Sequence, residues 1–326
     1  MKPFKHFNAY TVDEATAIIG RYGRRAVIIA GGTDLLGKMK DQVLPTYPEA
    51  LINIKTIPGL DSIREECGML QIGALTKLSA VAAHPLVLSK YKALAEAALR
   101  TASPQLRNMG TIGGNICQDI RCWYYRTPLN RFSCLRKGGG RCYALKGDNR
   151  FHSIFGGSVE KGCMAVHPSD TAPALIALGA QVVTSKRVLK AQDFFQVRLN
   201  STTVLDSDEI VTEIHIPEPE AGTRSAFIKF AQRKSIDFPI VNCAAVLTID
   251  QDRVTGARIC LNAVHVVPRR ALKAELAITG HAITEEVAEE AAKAAVYDAH
   301  PLEHNAYMVQ VAKTLVKRTI LGCGVG

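Results

Sequence analysis

Apolar positions along the chain switch between helical and strand spacing, and their order divides it into three parts. In residues 1–57, TVDEATAIIGRYG carries the helical spacing. Thr11 can cap this helix, Glu14 stands three residues later, and Gly23 closes it. AVIIA then reads as a short buried strand, AGGTDLLGKMK as a glycine-rich turn running into a helix, and EALINIKTI as another strand. Strand, helix and strand in this order predict a small α/β unit.

Residues 58–217 form the second part. LQIGALTKLSAVAAHP predicts a strand, a cap at Thr76 and a helix that stops before Pro85. KYKALAEAALRTAS is a stronger helix, and QLRNMGTIGGNI is rich in glycine and small residues. HPSDTAPALIALGAQVVTS reads as helix then strand, and EIVTEIHIP as a strand ending at Pro217. The third part, 222–326, opens with a meander of three strands in FIKFAQR and NCAAVLTIDQDRVTGARICLNAVHVVPRRA. Two helices follow, TEEVAEEAAKAAVYDA and NAYMVQVAKTLVKRTILG. Strands followed by helices make this an α+β unit, and the chain as a whole an α+β protein.

At 326 residues the chain is long enough for two or three domains, and 47% hydrophobic residues exclude a disordered protein. No run of about twenty apolar residues predicts a membrane span. The start of the chain, MKPFKHFNAYTVDEATAII, lacks the basic–apolar–small pattern of a secretory signal. A cytoplasmic location is therefore expected, with the periplasm reached only by export alongside a signal-bearing partner.

The formal charge of +10 raises the question of a nucleic-acid partner. Its distribution answers differently. Between Asp119 and Ala165 nine Lys and Arg face three acids, so six of the ten excess charges lie in about one seventh of the chain. Four of the nine Cys fall in the same stretch. An RNA-binding basic loop would interleave aromatic and basic residues, as WYYR at Trp123 to Arg126 partly does. Packing around a metal group beside Cys122 explains those rings equally well, and the glycine motifs have no place in an RNA reading.

Two glycine motifs carry the next signal. Gly31-Gly32-Thr33-Asp34 follows the AVIIA strand, so its N–H groups can form a concave anion site to which Thr33 adds a hydroxyl. The spacing is neither GxGxxG nor a P-loop, and a tight turn without a ligand is the plain alternative. GTIGGN, Gly110 to Asn115, is the second. The pair could clasp one extended diphosphate, and a glycine-permitted close approach of two backbones is the competing reading.

Five Cys lie between 117 and 163, in NICQDIRCWYY, FSCLRKGG, GRCYAL and KGCMAV. No CxxC occurs, so a zinc knuckle or thioredoxin-like pair is not indicated. Soft thiolates in a glycine-rich basic loop suit iron–sulfur or zinc, and buried free thiols remain the third reading. Cys67, Cys243, Cys260 and Cys323 read as core or terminal residues. Ser169 and Asp170 stand at a helix start, where both could cap. Lys229, Arg233 and Asp237 fall near strand ends. No HExxH spacing or Ser–His–acid order appears.

AGGTDLLGKMK, SPQLRNMGTIGGNI, HPSDTAPAL and FIKFAQRKSIDFPIVNCAAV, in that order, resemble the FAD-binding medium subunit of the molybdenum hydroxylases over almost the whole chain. That group includes the xanthine dehydrogenases, carbon monoxide dehydrogenases and aldehyde oxidoreductases. The resemblance implies a two-part FAD-binding region followed by a C-terminal α+β domain. It implies that Ala30, Gly31, Gly32, Thr33 and Asp34, with Thr111, Gly113, Gly114 and Asn115, grip the FAD diphosphate, that Ile29 lies close by, and that Leu35 is also cofactor-binding. Asp170 would hold the ribityl or ring side, Lys229 would lie near the flavin ring, and Ile54 and Leu60 near the adenine. The Cys-rich insertion at about 119–165 resembles the loop of two branches, 4-hydroxybenzoyl-CoA reductase and the bacterial periplasmic aldehyde oxidoreductase. In those it holds an extra [4Fe–4S] cluster, which maps onto Cys122, Cys134, Cys142 and Cys163, with Cys117 left over.

A chain of this kind carries electrons and leaves the organic substrate to a large molybdopterin subunit. A small subunit with two [2Fe–2S] clusters relays between them, in a heterotrimer or a dimer of heterotrimers. The added cluster implies an external carrier such as ferredoxin. The complex is expected to oxidise an aldehyde or an N-heterocycle, or to run reductively as the CoA-ester enzyme does. A self-contained flavin oxidase of the vanillyl-alcohol oxidase type would need a substrate domain for which the sequence has no room.

Overall fold

The computed structural model describes residues 1–157, 162–196 and 201–324. Glu160 and Lys161, counted above in the basic insertion, lie outside the described residues.

The N-terminal part is a three-stranded parallel sheet in which Ala50–Asn53 lies between Lys5–Asn8 and Ala26–Ile29. Parallel neighbours need a crossover, and the helix Val12–Tyr22 supplies the first one. The expected cap is present: Thr11 Oγ1 accepts the Glu14 N–H at 3.1 Å, while the Glu14 carboxylate accepts the Tyr10 N–H at 2.7 Å. Ala15 and Ile19, one turn apart, bury against Ile52.

The second sheet has five antiparallel strands in the order Ile63–Glu66, Met69–Gly73, Val211–Pro217, Gln181–Thr184, Val188–Lys190. Leu70 and Ile72 alternate into its inner face, as do Ile214 and Ile216. They pack against the helices Lys92–Leu99 and Thr171–Ala177. Each such side chain contributes about 1.5–3 kcal/mol on burial, so this face anchors the walls of the site described below. Thr76 does not cap the helix Leu78–Ala83. The chain turns one residue later, at Lys77, and the Thr76 hydroxyl donates to Ser62 O at 3.3 Å. The helix stops before Pro85 as expected, but Pro85 then opens another, Pro85–Lys90, in the first-turn position proline favours.

The C-terminal sheet orders Arg269–Arg270, Arg253–Asn262, Val241–Asp250 and Thr223–Phe230, all antiparallel. Its three long strands are those read from the sequence; the fourth, two residues at the edge, is too short to leave a periodic signal. Gln251 and Asp252 both take positive φ at the hairpin tip, the conformation that suits the twist of the strands. Helices Glu285–Ala295 and Tyr307–Gly324 cover the sheet, together with a third, Leu272–Ile278, that the sequence reading lacked. Cys243, Cys260 and Cys323 are core residues. Cys67 is not: it is exposed at a hairpin turn with φ 53°.

The Cys-rich segment follows the second glycine motif and packs against Val43 and Val266. Among the described residues it holds short turns of helix, Trp123–Arg126, Pro128–Asn130, Leu135–Lys137 and Tyr143–Leu145, and an isolated bridge between Cys134 and Arg141. Another bridge, between Arg121 and Val166, closes its base.

Candidate functional site

A cleft of about 610 Å³ opens where the N-terminal unit meets the second sheet, a volume suited to a cofactor-sized ligand. Ile29, Ala30, Gly31, Gly32, Thr33, Asp34 and Leu35 form one wall, and Thr111, Gly113, Gly114 and Asn115 form part of the other. Ile54 and Asp170 also face it.

The two glycine motifs meet backbone to backbone. A Cβ on Gly31 would lie 2.1 Å from Met109 O and 2.8 Å from Gly110 Cα, and one on Gly113 would lie 2.8 Å from Ala74 O. Gly32 takes φ +72°, which only glycine adopts readily. The motifs nevertheless offer different things. The N–H groups of Gly31, Gly32, Thr33 and Asp34 find no acceptor among the described residues, so they remain open to an anion. Those of the second motif are used: Ile112 donates to Thr76 O, Gly113 to Ala74 O, Gly114 to the Thr111 hydroxyl and Asn115 to Thr111 O. The second motif is therefore a wall that gives space, with the Asn115 side chain fixed by the hydroxyls of Ser169 at 2.5 Å and Thr171 at 2.7 Å.

Ser169 and Asp170 divide the roles that sequence left shared. Ser169 Oγ accepts the Ala172 N–H at 3.0 Å and so caps the helix Thr171–Ala177. Asp170 makes no cap. Its carboxylate is held at 2.7 Å by Lys229 Nζ and at 2.7 Å by the Asn242 amide. Burial raises the Asp170 pKa, and Lys229, Asn242 and Arg121 only partly oppose this. Lys229 itself stands behind Asp170, not among the cleft-lining residues, and also donates to Arg100 O at 3.0 Å. Leu60 is likewise off the wall: it packs in the core with Ile54, Leu75 and Ile210.

Further residues reach the cleft that the sequence reading had not placed there. Glu209 faces it while bound to Arg187 at 2.9 Å. Ile236 and Phe238 arrive from the loop between the first two strands of the C-terminal sheet, with Asp237 between them. Ile236 takes φ +68°, a strained conformation for a β-branched residue. That unusual backbone has no sequence signal.

Cys122, Cys134, Cys142 and Cys163 line one small cavity in the insertion. Cys117 does not; it lies on the wall of the large cleft. Among the described residues no three His, Cys, Asp or Glu side chains converge on a single ion. The four thiols lie on the wall of a cavity of about 10 Å³. Burial pushes the Cys122 thiol up to about 12 and that of Cys163 up as well. The buried Arg136 side chain lines the same cavity. Lys137 Nζ lies 5.1 Å from the centre of the Tyr125 ring, another lining residue. His152 Nε2 sits 3.2 Å from Cys122 Sγ.

Fold and cleft together define an α+β protein with a cofactor-sized cleft between a glycine turn and a second sheet. Residues 2–219 match the family described as the FAD binding domain in molybdopterin dehydrogenase, and residues 226–323 match the CO dehydrogenase flavoprotein C-terminal domain. The chain is 33% identical to the aldehyde oxidoreductase FAD-binding subunit PaoB of Escherichia coli, with 96% of each chain covered. It is 30% identical to the carbon monoxide dehydrogenase medium chain of Hydrogenophaga pseudoflava, over 97% of this chain and 96% of that one. The solved carbon monoxide dehydrogenase of that organism superposes with a TM-score of 0.78 at 30% identity, covering 99% of this chain and 98% of that one. The chain belongs to the family of FAD-binding medium subunits of the molybdenum hydroxylases. Among the described residues no helix is long and apolar enough to cross a membrane.

Proposed function

We propose that this chain is the electron-transfer subunit of a molybdenum hydroxylase that oxidises an aldehyde or an N-heterocycle, with FAD in the large cleft and a [4Fe–4S] cluster among the four thiols. The observation that carries the reading is the pairing of four open N–H groups at Gly31 to Asp34 with a separate four-thiol cavity. Bound FAD would supply the exchange between two-electron and one-electron traffic, and a cluster would supply one-electron transfer.

The chain's own residues bind, orient and compensate charge. The N–H groups of Gly31 to Asp34 receive the diphosphate, and Thr111, Gly113, Gly114 and Asn115 shape the opposite wall. Asp170, set by Lys229 and Asn242, presents a fixed acceptor to the ribityl or ring side. Ile54 lies at the adenine end, and Leu60 supports it from the core. Cys122, Cys134, Cys142 and Cys163 are the cluster ligands, and Arg136 and Lys137 offset its negative charge. Residues 1–57 and 58–217 contribute the two walls, and 222–326 the loop of Ile236 and Phe238. A large molybdopterin subunit and a small subunit with two [2Fe–2S] clusters complete a heterotrimer, alone or paired. Arg131, Arg141 and Lys146 are exposed on the insertion and suit an acidic carrier such as ferredoxin. The likeness to an aldehyde oxidoreductase subunit supports the aldehyde as substrate class.

Cys134→Ser tests the ligand assignment. Iron on this chain falls well below four atoms while flavin stays bound, as read by metal analysis and visible absorbance. Four irons retained in the variant would remove Cys134 from the ligand set.

A further inference from the structure

Asp34, Lys38, Asp119 and Arg126 form a partly buried ionic lattice that belongs to neither site alone. Asp34 Oδ1 accepts from Arg126 Nη1 at 2.7 Å. Asp34 Oδ2 accepts the Asp119 N–H at 3.1 Å and lies 3.2 Å from Lys38 Nζ. Lys38 Nζ is also 3.3 Å from Asp119 Oδ2, which accepts the Tyr125 hydroxyl at 2.7 Å. Both carboxylate oxygens of Asp34 are thus engaged away from any ligand, and only its backbone is left to the cleft. Burial works against the charge on Asp119, but Lys38, Arg136 and Arg126 outweigh it and hold the carboxyl well below its ordinary range.

Arg126 has little freedom in this lattice. Its Nη2 donates to Asp119 O and its Nε to Ile120 O, both at 2.7 Å. Its own N–H donates to Cys122 O at 2.9 Å. The helical turn Trp123–Arg126 therefore starts on a cavity thiol and ends on the glycine turn of the cleft. Asp34 and Lys38 line the cleft, while Tyr125 and Arg136 line the thiol cavity.

We propose that Arg126 is a positioning residue that couples the two sites, so that loss of the group held by the four thiols weakens FAD binding at the glycine turn. The inference rests on the assignment of both sites given above. Lys38 and Arg126 face both carboxylates, and Arg136 acts on Asp119 as well. Without Arg126, Asp34 keeps only Lys38, which it shares with Asp119, and its negative charge is undercompensated in the turn that must receive a diphosphate. Ligation of Cys122 fixes the start of the Arg126 turn, so emptying the thiol cavity frees the arginine. Coupling of this kind is reciprocal, so FAD also favours retention of the cluster.

The test is the equilibrium FAD affinity of the full chain, read by flavin fluorescence. Arg126→Met weakens binding by about tenfold or more. Arg126→Lys recovers part of the loss. Adding Asp34→Asn to Arg126→Met returns affinity to within about threefold of the wild type, because the undercompensated carboxylate is gone. The proposal is overturned if Arg126→Met binds FAD like the wild type, or if the double variant is as weak as the single one. Should Arg126→Met fail to fold, Arg126→Lys compared with the double variant decides the matter. Cys134→Ser separates this proposal from the cluster assignment. Iron lost with FAD affinity unchanged overturns the coupling alone; iron retained overturns the ligand assignment and leaves the arginine variants to judge the lattice.

Discussion

Gly31→Ala abolishes tight flavin binding while leaving the fold intact. The added methyl would lie 2.1 Å from Met109 O and 2.8 Å from Gly110 Cα. Neither neighbour can give way, because both are main-chain atoms tied into the second glycine motif. Gly110 N–H donates to Leu106 O at 2.7 Å, and Gly110 O accepts from Leu78 at 3.0 Å. The turn itself must move, and its four open N–H groups then point away from the diphosphate position. Hydrogen bonds to a charged acceptor contribute about 1.5–3 kcal/mol each. Losing two of them weakens binding by about two orders of magnitude or more. Flavin fluorescence titration measures the loss. Gly20→Ala is the control: outside its own helical turn nothing lies within 4 Å of the new methyl, and it sits in the helix Val12–Tyr22. It should leave FAD affinity unchanged and add up to about 1 kcal/mol of stability. Equal affinity in Gly31→Ala and Gly20→Ala would show that the glycine turn does not hold the ligand.

Lys229→Met should be the most destabilising of the charge-removing substitutions. It leaves Asp170 buried with the Asn242 amide as its only close side-chain hydrogen-bond partner among the described residues. Breaking a buried pair from one side costs about 3–5 kcal/mol. Adding Asp170→Asn removes the stranded charge and should restore most of that stability. The pH dependence has a definite sign. Asp170 already has a raised pKa in the folded chain, first through burial, and loss of Lys229 raises it further. The penalty is therefore full near neutral pH, where the unfolded carboxylate is ionised and the folded one resists ionisation. It shrinks as pH falls from the raised folded value toward the ordinary carboxylate value of 3.8, and it is gone below that, where both states are protonated. Chemical denaturation of both variants at several pH values reads the difference. A penalty unchanged across that range would mean that lost packing, and not the stranded charge, is responsible.

Local chemistry was legible in the sequence wherever a signal lies within a few residues. The Thr11 cap, the turn after AVIIA and the hairpin tip at Gln251 and Asp252 all depend on neighbours in the chain. Close backbone packing at the second motif was open as one of two readings, and it occurs there: a Cβ on Gly113 would meet Ala74, while one on Gly31 of the first motif would meet Met109 and Gly110. What differs is the division of labour, since only the first motif keeps its N–H groups open. That depends on Ala74 and Thr76, which come from another strand end and carry no motif. Ser169 and Asp170 could not be told apart because either side chain can cap. Lys229 and Asn242, which draw Asp170 away, lie more than fifty residues on.

The excess positive charge was readable as a local concentration, but not its partners. Arg126 meets Asp34 across 92 positions, and that contact exists only because the Cys-rich segment folds back onto the N-terminal turn. Ile236 and Phe238 were silent for the same reason: the third part of the chain brings them to a cleft built by the first two.

The central claim is that the large cleft holds FAD, and the most direct measurement is the flavin released from the purified full chain, identified by chromatography and counted per chain. The account predicts one FAD, with no FMN, because the proposed role of the N–H groups at Gly31 to Asp34, which have no acceptor among the described residues, is to receive a diphosphate, and FMN has none. A folded chain that carries no flavin, and still takes up none when supplied with FAD, would contradict it.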